Sequence, residues 1–422
     1  MASQPPPIAN LRAPTLLTLA DELLEEIFLR LPGPTDLARA STACASFRRV
    51  ITDRTFLRRF RGIHPPPLLG FVPRGQDGFY PAQPPYPSAP LARGVADAAD
   101  FSYSFVPMGR WLKPWRPRDL RLGRVLLECL PKYDERYEFY SVVFLRDLEL
   151  VVCDPLHRRY VLLPPVPHQI TAQHGRLIDF DAFLAPTCQI EVEEETSFEV
   201  ICTARNQTNL FAIVFSSATG HWCITASPSW SSLDTEPPSR YHKLAYPDYA
   251  NGCFYWTGCW AGKLLVLDAR KMEFSIVNSV PSSSLIQDNV NKSAGIVVGE
   301  EGTPLMFSFG THSEDDSSDL LHITNIYGGE PSEEQQLEKI IPLSRKYMYS
   351  ICGAVEGFLF LHGIPEGQYS VRRRRSQSVP NREYLLMDVK TSELRKVCEM
   401  RHDFFSVHAY FGFPRSLSKP CI

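Results

Sequence analysis

Three stretches of this chain close in the same way: LVVCD at Asp154, LLVLD at Asp268 and YLLMD at Asp388. Each is an apolar run suited to one buried strand, capped by an aspartate. After each come about four mostly polar residues and a second strand-like run, RRYVLLP, EFSIVNSVP or ELRKVC. Upstream of each lies a Gly-led apolar strand: GRVLLE from Gly123, GCFYWTG from Gly252 and GFLFLHG from Gly357. Aspartate suits the first position of a tight turn, where its side chain bonds backbone two residues on. The unit therefore reads strand, loop, strand, Asp turn, strand.

Two further segments carry the same unit less clearly. One runs from Phe198, with Ser216 and Ser217 at the turn; the other runs from Ala294. A repeat of roughly 40 to 60 residues with several strands each is the signature of a β-propeller. No unit carries the WD dipeptide pattern, and the recurring double-glycines of kelch repeats are absent. A sixth unit is expected from LLGFV near Leu68 together with FFSVHAYFGF near Phe404. Joining the first and last strands in one blade would close the ring and remove its sheet edges. The expected architecture is a small helical segment followed by an all-β domain at 106–416, a propeller of about six irregular blades. The competing architecture is an irregular set of β-sandwich domains.

The segment at 14–61 is different in kind. Thr18 and Asp21 have capping-box spacing. Leu23, Leu24, Ile27, Phe28 and Leu31 fall on one helical face, and Asp21, Glu22, Glu25, Glu26 and Arg30 on the other. Pro32 and Gly33 stop this helix, and Pro34 suits the first turn of the next. There Leu37, Ala40, Cys44, Phe47 and Ile51 form a second apolar stripe. Two or three short helices in roughly 45 residues are at the margin of independent stability, so their stripes need another surface. The flanking parts read as a disordered tail at 1–13 and, at 62–105, a Pro/Ala-rich linker with a possible first strand.

The pattern L-x-D-E-L-L-x-E-I-F-x-R-L-P, then D-L-x-R-A, then Cys44, Arg48 and Phe56-Leu57, resembles an F-box. The repeat containing LVVCDPLHRRYVLLP resembles, more loosely, the F-box-associated propeller-like regions common in plant F-box proteins. The resemblance implies a substrate-recognition subunit of an SCF-type ubiquitin ligase. The helices would hold a Skp-type adaptor and, through it, a cullin; the β domain would bind a target protein whose identity the sequence does not name. By resemblance, Leu19, Leu23, Leu24, Ile27, Leu31, Pro32, Leu37 and Cys44 match positions that dock on the adaptor or pack the helices that do. The chain departs from the family at Ala20, where Pro is usual, and at Phe47, where Trp is frequent.

Other chemistry finds little support in the pattern. No H-E-x-x-H, G-x-S-x-G, P-loop or G-x-G-x-x-G is present, so no catalytic residue and no cofactor are expected. The 11 Cys, without a C-x-x-C pair, give neither a disulfide framework nor a metal site. Cys253 and Cys259 read as core thiols. A net charge of -3 does not favour nucleic acid, and the arginines between Arg48 and Arg61 read as a polar helical face. No apolar run approaches the roughly 20 residues of a membrane span, and the N-terminus has no signal region. A soluble chain in the cytoplasm, the nucleus or both is expected, with reduced thiols. The run VRRRRSQSVP carries a candidate phosphosite, Ser378, or is a loop inside one blade. The aromatic run from Phe254 to Trp260 should, by strand alternation, turn half its side chains into the core. A propeller enzyme with a site in the central channel and a scaffold outside any ligase are the alternatives.

Overall fold

In a computed structural model the described residues are 19–412, except 65, 77, 131–147, 168–176, 187–196, 240–243, 245–246, 261, 279–293, 300–301, 311–319, 327–336, 345, 356, 366–381 and 401–405. The chain divides into two compact units, with the break between Pro67 and Leu68.

The first unit is four short helices: α1 (Asp21–Leu29), α2 (Pro34–Ala43), α3 (Ala45–Ile51) and α4 (Arg54–Ile63). Pro34 starts α2 as expected, but the second apolar stripe is not one helix. Cys44 is extended, at φ -160° and ψ 164°, and divides α2 from α3. Its sulfur accepts the Phe47 amide at 3.4 Å, which caps α3. The capping box is corrected as well. Ala20 is the N-cap of α1 without a side-chain bond, Thr18 lies outside the described residues, and Asp21 instead pairs with Arg49. Helix α4 has its own cap, Asp53, whose carboxylate accepts the Thr55 and Phe56 amides.

The second unit begins with β1 (Leu68–Pro73), β2 (Tyr80–Pro81) and α5 (Ala89–Ala98). The Pro/Ala-rich stretch is thus no free linker: Ala89 and Ala92 are buried, and Ala92 belongs to the core that contains β1. Five four-stranded antiparallel blades follow in chain order. The first blade is β3 (Arg116–Arg121), β4 (Arg124–Cys129), β5 (Glu149–Asp154) and β6 (Arg159–Leu162). The second is β7 (Asp179–Leu184), β8 (Glu199–Arg205), β9 (Leu210–Ser216) and β10 (His221–Ala226). The third is β11 (Asp248–Ala250), β12 (Cys253–Trp260), β13 (Lys263–Asp268) and β14 (Glu273–Asn278). The fourth is β15 (Ala294–Val298), β16 (Pro304–Gly310), β17 (Leu320–Asn325) and β18 (Leu337–Pro342). The fifth is β19 (Tyr347–Val355), β20 (Phe358–Pro365), β21 (Arg382–Asp388) and β22 (Leu394–Met400). The last strand, β23 (Val407–Phe411), returns to pair with β1, in the order β2-β1-β23. The register sets Gly70 against Tyr410 and Pro73 against Val407. This is the expected closure of first strand on last, and it completes a six-bladed propeller.

The repeated turn chemistry is the expected one. The carboxylates of Asp154, Asp268 and Asp388 each accept the amides two and three residues on, at 2.8–3.1 Å. The fourth loop residue is then left-handed: Arg158 at φ 53°, Gly220 at φ 73°, Met272 at φ 55° and Ser392 at φ 58°. The Gly-led strands follow two-residue turns with positive φ at both positions, Leu122-Gly123 and Asn251-Gly252. That geometry matches the twist of the paired strands.

Each blade buries both faces. Phe254 and Trp256 pack with Phe183 and Ile201 of the second blade, while Tyr255 packs with Ala294 and Ile296 of the fourth. All three aromatics are therefore buried, at 0%, 1% and 6% exposure for Phe254, Trp256 and Tyr255. Alternation holds, but neither side of a blade is free.

Polar groups tie neighbouring blades at their inner strands. Asp119 on β3 accepts the Leu184 amide of β7 at 2.8 Å, and Asp248 on β11 accepts the Ile296 amide of β15 at 3.0 Å. Asp181 on β7 is fully buried and takes Arg118 from β3 at 2.7 Å and Arg74, just past β1, at 3.0 Å. Arg118 also pairs with Glu128. His408 on β23 donates Nε2–H to the Arg118 carbonyl at 3.1 Å, with Nδ1 3.6 Å from Asp119. Burial pushes the His408 ring down to about 4; Asp119 opposes this, and Arg74 and Arg121 reinforce it. The ring is accordingly neutral at pH 7. Burial would raise Asp119, but Arg121 and the other surrounding donors hold its carboxyl below the usual range.

Two outcomes follow. No atom lies within 4 Å of a Cβ built on Gly220, so Gly220→Ala reports backbone conformation alone. It should lower stability by about 1 kcal/mol in urea denaturation; a change within a few tenths would contradict the left-handed turn. The unfolded chain's histidine, near about 6.5, takes up a proton before the folded one does, so stability is full above that pH and lost as pH falls towards about 4. This amounts to at most about 3 kcal/mol, and His408→Gln should flatten the profile in that window. An unchanged slope would remove His408 as its source.

Candidate functional site

The helical unit completes a core of its own. Leu24, Phe28, Leu29, Leu37, Val50, Ile51, Phe56 and Phe60 are all below 7% exposed. Phe28 meets Phe47 edge-on at 5.1 Å and Phe56 at 6.4 Å, and Phe56 stacks on Phe60 at 6.1 Å. His64 Nε2 bonds the Leu29 carbonyl at 2.8 Å, joining the end of α4 to the end of α1. On the other side of α1, Asp21 takes Arg49 bidentately at 2.7 and 2.8 Å. Glu25 and Glu26 share Arg59 at 2.9 and 2.6 Å. The acidic face of α1 and part of the arginine cluster thus orient the helices against one another.

This packing divides the sequence-derived residues into two sets. Leu24 and Leu37, at 1% and 4% exposure, belong to the core that packs the helices. Cys44 is half-buried and caps α3. Leu23 and Ile27 are one helical turn apart and remain 54% and 39% exposed, with Pro32 exposed and Leu19 and Leu31 half-buried. Apolar side chains left uncovered on a unit with a finished core are the part available for docking. Covering Leu23 and Ile27 would contribute on the order of 1 kcal/mol each. Ala20 has φ -62° and ψ 151°, the backbone that proline also adopts, so this departure keeps the conformation. Phe47 serves in the aromatic cluster. Phe56 and Phe60 were the members that periodicity undervalued, although their spacing of four was a legible signal.

The propeller offers a cavity of about 560 Å³ lined by Ser231, Asp234, Thr235, Glu236, Trp260 and Lys263. Trp260 donates Nε1–H to the Glu236 carbonyl at 3.0 Å and stands edge-on to Trp230 at 6.0 Å. Among the described residues that line it, Asp234, Glu236 and Lys263 are the charged groups. Cys253 is a half-buried free thiol, raised by burial and by Asp268; the side chain of Cys259 is outside the described residues. Ser378 and the arginine run before it are likewise outside. Among the described residues no group of three or more His, Cys, Asp and Glu could hold a metal ion, and no helix is long and apolar enough to cross a membrane.

Comparison with known proteins matches a family over part of the helical unit. Residues 18–61 match the family described as F-box-like. No curated protein matches the chain. Solved structures similar to it include the β-propeller domain of the Trilobed protease from Pyrococcus furiosus, at 8% identity and TM-score 0.32, covering 67% of this chain and 70% of that one. TolB from Acinetobacter baumannii is similar at 10% identity and TM-score 0.33, covering 78% and 67%. Sqt1 from Saccharomyces cerevisiae is similar at 9% identity and TM-score 0.32, covering 65% and 58%. These distant likenesses carry no activity over to this chain. The chain carries an F-box-like domain at residues 18–61, followed by an all-β six-bladed propeller.

Proposed function

We propose that this chain is the substrate-recognition subunit of an SCF-type ubiquitin ligase, with a propeller of the F-box-associated kind. The observation that carries the reading is the uncovered pair Leu23 and Ile27 on α1 of the F-box-like domain. In this reading Leu19, Leu31 and Pro32 border that pair on the adaptor side, while Leu24 and Leu37 hold α1 and α2 in place. The Skp-type adaptor links the chain to a cullin, and the propeller binds a target protein. The chain supplies no catalytic group: it raises the effective concentration of target lysine near the conjugating enzyme's thioester. It works in the cytoplasm, the nucleus or both, without a cofactor and without nucleic acid or membrane as ligand.

The direct test is capture of a purified Skp-type adaptor by the full chain. Leu23→Asp with Ile27→Asp should weaken capture by at least about a hundredfold, since two charges would be buried at the interface. Both side chains are exposed, so the helical content seen by circular dichroism should not change. Wild type that captures no adaptor, or a double variant that captures it equally well, sinks the reading.

A further inference from the structure

The two most exposed large apolar side chains among the described residues stand on one loop: Met108 at 69% and Leu112 at 78%. The loop runs between α5 and β3 in the sequence VPMGRWLKPW. Flexible loops commonly show stray apolar residues, but this one is held at several points. Trp115 is buried and donates Nε1–H to the Pro107 carbonyl at 2.7 Å. The Arg110 amide donates to Glu149 Oε2 at 2.7 Å, at the start of β5. The Leu112 amide closes a turn onto the Gly109 carbonyl at 2.9 Å. Gly109 sits so near the blade that a Cβ there would lie 2.9 Å from Glu149 Oε2 and 3.0 Å from Cys129 Sγ.

The turn places Leu112 at φ 54°, a region that bulky residues avoid. The Arg110 guanidinium lies 4.7 Å from the centroid of Trp111, a half-buried ring, while its Nε is 3.7 Å from Glu149 Oε1. A fixed loop that displays Met, Leu, Trp and Arg together has the composition of a binding hot spot, already ordered before any partner arrives. Lys113 and Arg116 flank the apolar tip in sequence, and Glu149, a carboxylate that meets the loop, is engaged by the Arg110 amide and guanidinium.

We propose that the loop at 107–113 docks a target-protein segment of acidic and apolar residues, with Met108 and Leu112 as the apolar contacts and Lys113 and Arg116 as the charge partners. This deepens the receptor reading by naming the target's chemistry, and it rests on that reading only in calling the ligand a target. A polypeptide fits better than a lipid surface. Electrostatic membrane anchoring draws on clusters of about four to eight cations, whereas this loop offers few, and Arg110 is already engaged by Glu149.

The test is fluorescence anisotropy with the full chain and a labelled dodecapeptide of alternating acidic and apolar residues. Two control peptides replace its acids by lysine or its apolar residues by serine. Wild type should bind the first peptide and neither control. Met108→Ser with Leu112→Asn should weaken binding by at least about tenfold, asparagine being chosen because it tolerates the left-handed turn. Lys113→Glu with Arg116→Glu should do the same, with the thermal midpoint unchanged in both. Leu23→Asp with Ile27→Asp should leave peptide binding intact, which separates this site from the adaptor reading. Equal binding by the Met108/Leu112 variant overturns the proposal, as does equal binding of the lysine peptide. So does comparable binding to vesicles of phosphatidylcholine and phosphatidylserine. Binding that appears only when 131–147 is replaced by a Gly/Ser linker also overturns it, because the chain itself would then be the occupant.

Discussion

Everything in the β unit depends on β1 pairing with β23. A blade with both faces apolar is stable only between two neighbours, and the chain's own first strand supplies the last of those neighbours. Phe71 on β1 meets Phe360 at 5.3 Å and Tyr384 at 5.9 Å in the fifth blade, while Val125 and Val151 of the first blade lie in the same core. Bringing such distant segments together costs chain entropy that grows only with the logarithm of loop length, so a modest set of seam contacts can offset it. The polar groups concentrate there. Arg74, after β1, and Arg118, on β3, meet at the buried Asp181, and His408 on β23 bonds the Arg118 carbonyl and faces Asp119. Removing a charged member of such a set, such as Asp181, leaves buried charge uncompensated, costing about 3–5 kcal/mol.

That arrangement shapes the functional reading. The charged residues near the propeller axis bond one another and the amides of adjacent blades, so they act as ties between blades. The surfaces proposed for recognition lie elsewhere: the apolar pair on α1 and the fixed loop after α5. The helical unit has a packed core and a small uncovered apolar strip, and the propeller is built of blades tied at their inner strands.

Local chemistry was legible in the sequence, and distant packing was not. The Asp turns, the Gly-led turns and the closing strand could be read because each rests on residues adjacent in the chain, or on the need to cover a sheet edge. Helix α5 was missed because its buried face is alanine, an apolar stripe too faint to register beside its prolines. The break at Cys44 was missed because a continuous stripe fits one helix as well as two. The capping role of Asp21 was lost to Arg49, a partner 28 residues away. The sequence offered Leu23 and Leu24 as equals; only packing shows that one faces out and the other in. The seam network could not be read, since Arg118 and His408 are separated by 290 residues. The exposure of Leu112 depends on what the fold leaves uncovered, which no local pattern states.

The central claim is that adaptor and target are held by separate units, the adaptor by the outward side of α1. Hydrogen–deuterium exchange on the full chain, with and without a purified Skp-type adaptor, tests it most directly. The account predicts slowed exchange confined to peptides covering α1 and the start of α2, around Leu23, Ile27 and Pro32, with β1 to β23 unchanged. Slowed exchange in the blades, or none in α1, would contradict it.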